Sequence, residues 1–219
     1  MRDWKHIYRK RGALWIHDGN PKRPHALLSS GKHSGGFFNS EDVMDDPKLL
    51  DEAAVDLIQL LEDAELDLNM VDLVAGPAMG AITLAHDLAR NIWDYRSSDA
   101  PCRRAYAEKV PGDTKAFAFN RTRIGTERVL VCEDVTTTAG SVELVIQAVE
   151  KCGAVTLPYV AVLVNRSGLK DIGGRKIVAL IDEHLPSWTP EECPLCRKGS
   201  EAIPAKKPVE NWELLNAKY

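Results

Sequence analysis

From residue 46 onward the chain alternates amphipathic stretches with short, almost uninterrupted apolar runs. Leu50, Ala53, Ala54, Leu57, Leu60 and Leu61 recur on one 3.6-residue face, and Asp46-Pro47 ahead of them supplies an N-cap acid and a first-turn proline. A helix is therefore predicted over residues 48–64. MVDLVA, GPAMGA and ITLAHDLARNIW follow one another from Met70 and read as strand, glycine loop and helix. Further strands are predicted at 103–107, 129–135, 159–164 and 177–181, and Val142, Val145, Ile146 and Val149 form the inward stripe of a helix stopped by Gly153. Repeated strand, loop and helix units of this kind build an α/β fold with a central, mainly parallel sheet flanked by helices.

The ends of the chain differ from this middle. A short amphipathic helix is predicted over 4–15, followed by the turn-rich DGNPKRPH and then Ala26-Leu27-Leu28. Ser and Gly around Lys32 and His33 suggest a loop, Phe37-Phe38 a short apolar piece, and 204–208 a surface extension. A chain of 219 residues suits one α/β domain with appendages. The expected organisation is one domain over 1–219, with an N-terminal hood at 1–45, a core at 46–200 and a C-terminal extension at 201–219.

Composition narrows the partners. Hydrophobic residues at 44% and charged residues at 27% fit a globular enzyme and argue against long disorder. A net charge of -4 gives no overall reason to expect binding to nucleic acid or an anionic membrane, so any anion site must be local. No apolar run approaches the roughly 20 residues of a membrane span, and a cytoplasmic location is expected. Five cysteines cannot all pair within one chain, so reduced thiols are expected. CPLC, Cys193 to Cys196, has the spacing of half a zinc knuckle, but no second CxxC or HxxxH accompanies it, and His184 and Cys102 would have to be recruited from far away. A plain turn carrying two thiols is the expected reading.

The densest chemistry lies in VLVCEDVTTTAGSVELVIQAVEKCGA, from Val129. An apolar strand carries Glu133 and Asp134 into a loop of small hydroxylated residues that opens directly into a helix. Backbone N–H groups at a helix start, with Thr and Ser hydroxyls beside them, can hold a phosphate dianion, and the acids before them are placed to accept hydrogen bonds from ribose hydroxyls. A merely capped turn would use similar residue types. Side chains alternate along a strand, however, so at least one of two adjacent acids would point to the core and need a partner. Ligands of open α/β sheets also bind at this end of the strands.

This stretch resembles the signature of type I phosphoribosyltransferases, which bind 5-phosphoribosyl-1-diphosphate, in the form hydrophobic-hydrophobic-E-D-V-x-T-T-G/A-G-S. LLSSGKHSGGFFN, VAGPAMGAITLAHDLAR and VLVNRSGLKD are similar to three further elements of the orotate phosphoribosyltransferases: SGR/KxS...FFN, GPA-x-x-G/A-I and V-D-R-S-G. ECPLCRKG is similar to the ending of one short-loop bacterial and archaeal subgroup. The similar pieces together span most of 27–199. The resemblance implies a type I phosphoribosyltransferase-like fold with a small N-terminal hood and a flexible loop. It also implies that Glu133 and Asp134 hold the ribose hydroxyls, while Thr137, Thr138, Ala139, Gly140 and Ser141 wrap the 5′-phosphate.

Arg166 is the candidate for the base, because a planar guanidinium at a strand end can donate two parallel hydrogen bonds to the carboxylate and carbonyl acceptors of orotate. Phe37 and Phe38 are candidates to flank the ring, although an apolar pair after a glycine loop is equally a core element. For the diphosphate, 76–80 offers backbone N–H groups, including those around Ala78 and Gly80. AEKVPGDTKAFAFNR resembles the family's mobile catalytic loop, with Lys109 and Arg121 as the basic candidates and Lys115 a solvated charge. Lys109 and Asp134 are the expected catalytic residues. The chain lacks the K-x-x-K-x-H-G arrangement of many orotate enzymes, and it has Ser29 and Gly80 where other members carry lysines.

The implied reaction joins orotate to the ribosyl 5-phosphate, giving orotidine 5′-monophosphate and pyrophosphate for pyrimidine biosynthesis. Mg²⁺ is expected as cofactor, held mainly through substrate and water rather than by protein ligands. A homodimer is expected. The alternatives are a phosphoribosyltransferase for another nucleobase and a non-catalytic, nucleotide-sensing regulator of the same fold.

Overall fold

A computed structural model describes residues 1–96 and 100–219. In chain order the elements are α1 (Trp4–Lys10), β1 (Leu14–Ile16), β2 (His25–Leu27), β3 (His33–Ser34), β4 (Gly36–Phe38), α2 (Glu41–Met44), α3 (Pro47–Asp63), β5 (Leu73–Pro77), α4 (Ile82–Tyr95), β6 (Arg103–Val110), β7 (Asp113–Ala118), β8 (Arg128–Thr136), α5 (Gly140–Lys151), β9 (Val155–Asn165), β10 (Asp171–Ile172), β11 (Arg175–Asp182), β12 (Ser187–Trp188), β13 (Ala202–Pro204) and α6 (Glu210–Asn216). They divide between two compact units, a larger one of residues 1–2 and 43–183 and a smaller one of 3–42 and 184–219. Residues 184–200, expected in the core, therefore group with the N-terminal segment.

The larger unit carries a seven-stranded sheet in the order β10-β11-β9-β8-β5-β6-β7. The five strands from β11 to β6 run parallel, and β10 and β7 close the edges antiparallel. Helices cover such sheets on both faces, which is why β5 is buried at every position and β8 is apolar through most of its length. Val142, Val145, Ile146 and Val149 of α5 pack into one core with Leu73, Ala75, Val129, Val131, Val160 and Val162.

Helix α3 begins where the sequence predicts, one residue after Asp46, whose carboxylate accepts from the Lys48 and Leu49 N–H groups. Its buried face holds Leu50, Ala53, Ala54, Leu57 and Leu61, with Ile58 in place of the half-buried Leu60. The segment 109–121, expected as a flexible loop, is largely a hairpin. β6 runs on to Val110, the chain turns at Pro111-Gly112, and β7 returns with Glu108 opposite Ala118 and Lys109 opposite Phe117. Phe117 is buried in the core, which anchors the returning strand.

In the smaller unit β1 pairs with β4, and a second sheet has the order β12-β3-β2-β13. The helix predicted over 4–15 ends at Lys10. Gly12 adopts φ +68°, a conformation costly for other residues, and the chain leaves as strand β1, with Leu14 opposite Phe38 and Ile16 opposite Gly36. The piece around Lys32 and His33 is a hairpin of β2 and β3 rather than a free loop. The C-terminal segment is likewise packed. β13 runs parallel to β2, and α6 buries Leu215 against Trp15, Ala26, Leu28 and Ala205 while the Trp15 indole donates to the Leu215 carbonyl at 2.7 Å.

Candidate active site

Parallel register sets the site. Thr136 at the end of β8 lies opposite Asn165 at the end of β9, and Pro77 at the end of β5 lies opposite Ala107 on β6. The loops that leave β5, β8 and β9 thus emerge from one sheet edge, the carboxyl edge at which open α/β sheets bind ligands.

Glu133 is buried and Asp134 half-buried, and the Asp134 N–H donates to the Glu133 carboxylate at 3.2 Å. Burial first, and then the neighbouring Asp134 charge, push the Glu133 carboxyl well above the usual carboxylate range. The opposite wall is the β5–α4 loop. A Cβ added at Gly80 would sit 2.8 Å from an Asp134 carboxylate oxygen, so no side chain fits there while Asp134 keeps its position.

The raised Glu133 pKa makes folding stability depend on pH. A carboxyl whose pKa is higher folded than unfolded contributes stability that is complete below the unfolded value, about 4.3, and is lost as pH rises towards the folded value. Glu133→Gln removes that loss. The difference in thermal midpoint, variant minus wild type, is expected to widen in favour of the variant as pH rises above about 4.3 and to level off above the folded pKa. A difference constant across pH would show that Glu133 does not titrate in this way.

Beyond the acids, Thr137, Thr138 and Ser141 are exposed and curve around the start of α5. Ala139 adopts a left-handed conformation, φ +66°, and no side chain caps the helix, so the first N–H groups of α5 face the loop. A left-handed alanine costs about 1 kcal/mol, strain of a kind that collects at ligand sites.

Arg166 follows β9 directly. Its backbone N–H donates to the Thr136 carbonyl at 3.0 Å, tying it to the same loop, and its side chain is only 2% exposed. Burial lowers its pKa to about 10, which leaves the guanidinium cationic at neutral pH. Asn165 is a residue that sequence reasoning missed. Its amide donates to the Leu169 carbonyl and the Asp182 carboxylate, both at 2.9 Å, and its oxygen accepts from the Ser167 hydroxyl at 2.6 Å. These bonds shape the turn that carries Arg166. The available signal was a buried amide at a strand end just before Arg-Ser-Gly.

The other expected site residues fall into two groups. Ala78 and Gly80 line the β5–α4 loop, where the Ala78 N–H donates to the Ala107 carbonyl at 2.8 Å. Lys109 is exposed on β6, and Arg121 lies 3.4 Å from Glu108, an exposed pair of little strength that a ligand anion can replace. Phe38 is core to the smaller unit, edge-on to Tyr8 at 5.6 Å, and Phe37 packs on Trp212 at 5.7 Å. Packing within that unit accounts for both rings. A surface depression of about 480 Å³ beside Asp72, Arg103 and Glu127 lies at the opposite, amino edge of the strands. Ion pairs line it, Arg128 with Asp72 at 2.8 Å and Arg103 with Glu127 at 2.6 Å.

Residues 40–185 match the phosphoribosyl transferase domain family. The chain is 39% identical over 184 residues to the orotate phosphoribosyltransferase of Caldicellulosiruptor bescii, covering 84% of this chain and 87% of that one. It is 35% identical over 204 residues to the orotate phosphoribosyltransferase of Thermotoga maritima, covering 93% and 96%. The crystal structure of orotate phosphoribosyltransferase from Aeropyrum pernix superposes with a TM-score of 0.54 at 24% identity, covering 96% and 97%. Among the described residues no helix is long and apolar enough to cross a membrane.

Proposed function

We propose, because the chain belongs to the phosphoribosyltransferase family and to its orotate phosphoribosyltransferase group, that it transfers the ribosyl 5-phosphate group from 5-phosphoribosyl-1-diphosphate to N1 of orotate. The bond between C1 and the diphosphate oxygen breaks, the N1–C1 bond forms, pyrophosphate leaves, and the N1 proton is lost to solvent or product. The single observation that carries this reading is the shared sheet edge at which the Glu133-Asp134 pair, the uncapped start of α5 and Arg166 emerge. No nucleophilic side chain is needed, because the base nitrogen attacks and the protein orients the reactants and stabilises charge.

In this reading the α5 N–H groups and the hydroxyls of Thr137, Thr138 and Ser141 hold the 5′-phosphate. Asp134 and Glu133 accept from the ribose hydroxyls, and Arg166 donates to orotate. Lys109 and Arg121, on or next to the β6–β7 hairpin, meet the diphosphate of their own site or, in a homodimer, of the partner's. The acids also fit Mg²⁺. Hard cations take oxygen ligands, and burial and mutual repulsion in the Glu133-Asp134 pair would be relieved by a cation or by hydroxyl donors. Glu133 and Asp134 would help hold the ion, mainly through substrate and water, and it would supply charge neutralisation at the leaving group.

The test is turnover. The protein is incubated with 5-phosphoribosyl-1-diphosphate, Mg²⁺ and, separately, orotate, uracil and adenine, and loss of the near-ultraviolet absorbance of orotate is followed together with pyrophosphate release. Release with orotate alone is the expected result. Release with uracil or adenine but not orotate would move the base assignment elsewhere, and no release with any base would leave the site to a regulator.

A further inference from the structure

Outside this site, the smaller unit gathers four side chains that the proposed reaction does not use. His25 on β2, His33 on β3, and Cys193 and Cys196 of the CPLC segment each turn one ligand-capable atom to a common point, all within 4.8 Å of one another. His25 Nε2 lies 3.0 Å from His33 Nδ1 and 3.5 Å from the sulfur of both Cys193 and Cys196, and His33 Nδ1 lies 3.2 Å from the Cys196 sulfur. His25 and Cys193 are fully buried.

Hydrogen bonding alone does not account for the convergence. The Ser200 hydroxyl donates its one proton to the Arg23 carbonyl at 2.6 Å and stands 2.8 Å from His25 Nδ1. It therefore accepts from the Nδ1–H, which leaves Nε2 as a bare lone pair. One lone pair accepts one good hydrogen bond, yet three ligand atoms crowd around it. A cation at the common point uses one lone pair from each of the four atoms at once.

We propose that His25, His33, Cys193 and Cys196 form a structural zinc site. Two imidazoles and two thiolates are a familiar tetrahedral zinc set. With Zn–S about 2.3 Å and Zn–N about 2.0–2.1 Å, the ligand atoms of a tetrahedron stand about 3.3–3.8 Å apart. Four of the six separations, at 3.0–3.5 Å, approach that spacing, and all six lie within 4.8 Å. All four positions come from protein, leaving none open for chemistry, which separates this site from a catalytic one. Ser200 supplies the outer hydrogen bond that fixes the His25 tautomer. As the two Zn–S bonds form, both thiol protons pass to solvent. The ion would pin the β2–β3 hairpin to the CPLC segment, bridging 163 positions of chain between His33 and Cys196.

The experiment uses the full chain, produced with zinc in the medium and dialysed, with metal content measured by mass spectrometry. About one zinc per chain is expected. The content should fall at least about tenfold in His33→Ala and Cys193→Ser and stay unchanged in Cys152→Ser, whose thiol is exposed and outside the cluster. Wild-type protein stripped with a chelator and titrated with Co²⁺ alone should show the intense visible bands of tetrahedral cobalt and a thiolate-to-metal charge-transfer band. That readout does not depend on a variant folding. Zinc well below one per chain in the wild type, a weak octahedral cobalt spectrum without charge transfer, or full retention in Cys193→Ser would each overturn the site. None of these outcomes bears on orotate turnover, because no ligand of the cluster is among the residues proposed to bind substrate.

Discussion

Asp134→Asn is expected to lower kcat/KM for phosphoribosyl transfer by about 100-fold or more while leaving the fold intact. The side chain is half-buried, faces the Gly80 backbone and lies beside Glu133, so an amide of the same shape fits the space. What the amide lacks is charge. Hydrogen bonds to an ionised carboxylate contribute about 1.5–3 kcal/mol each, and a carboxylate beside C1 also favours the positive charge that develops on the ribose as the diphosphate departs. Removing the Asp134 charge also removes a cause of the raised Glu133 pKa, leaving burial as the larger one, so Glu133 ionises more readily than in the wild type. The loss should therefore appear mainly in kcat, with a thermal midpoint equal to or above that of the wild type. Steady-state kinetics at saturating orotate, with a melting curve, checks both. Near-normal turnover would remove Asp134 from the site.

Legibility in the sequence tracked the length of each signal. The strands and helices of the larger unit are long and buried on a regular period: β8 and α3 lie within a residue of their predicted limits, and the predicted inward stripe of α5 is buried. The phosphate loop was legible for the same reason, since acids, hydroxyls and helix follow one another in the chain. The smaller unit was not. Its first four strands have two or three residues each, too few to show a period of two, and Gly12 ends a helix that apolar spacing alone would carry to Trp15. The extent of β6 was hidden because a basic, exposed segment reads as a loop until Phe117 is known to be buried. The His25, His33, Cys193 and Cys196 cluster was hidden more deeply. Its halves are separated by some 160 residues, and only the pairing of β3 with β2 and β12 brings the histidines to the cysteines. The CPLC spacing alone reads as a plain turn carrying two thiols, and neither His184 nor Cys102 belongs to the cluster.

Arg166→Ala should raise the KM for orotate or lower kcat/KM for it by about 10- to 100-fold, corresponding to one charge-assisted pair of hydrogen bonds. Affinity for 5-phosphoribosyl-1-diphosphate should change little. The prediction separates two roles that one buried arginine could serve. As a packing element, Arg166 fills space at the end of β9, and its loss would loosen the turn that Asn165 holds, disturbing the phosphate loop through the Arg166 to Thr136 backbone bond. Both ligands would then suffer alike. As a base-binding group it acts on orotate alone, leaving the backbone bond to Thr136 untouched by truncation of the side chain. Arg166→Lys sharpens the distinction, because lysine keeps the positive charge and most of the volume but loses the planar pair of donors. If geometry matters, the lysine variant should melt near the wild-type temperature and still bind orotate poorly. If charge or packing alone matters, lysine should restore most of the activity. Binding of each substrate measured separately by calorimetry, at a temperature below the midpoint of the alanine variant, decides between them, and equal losses for both ligands would count against the base-binding role.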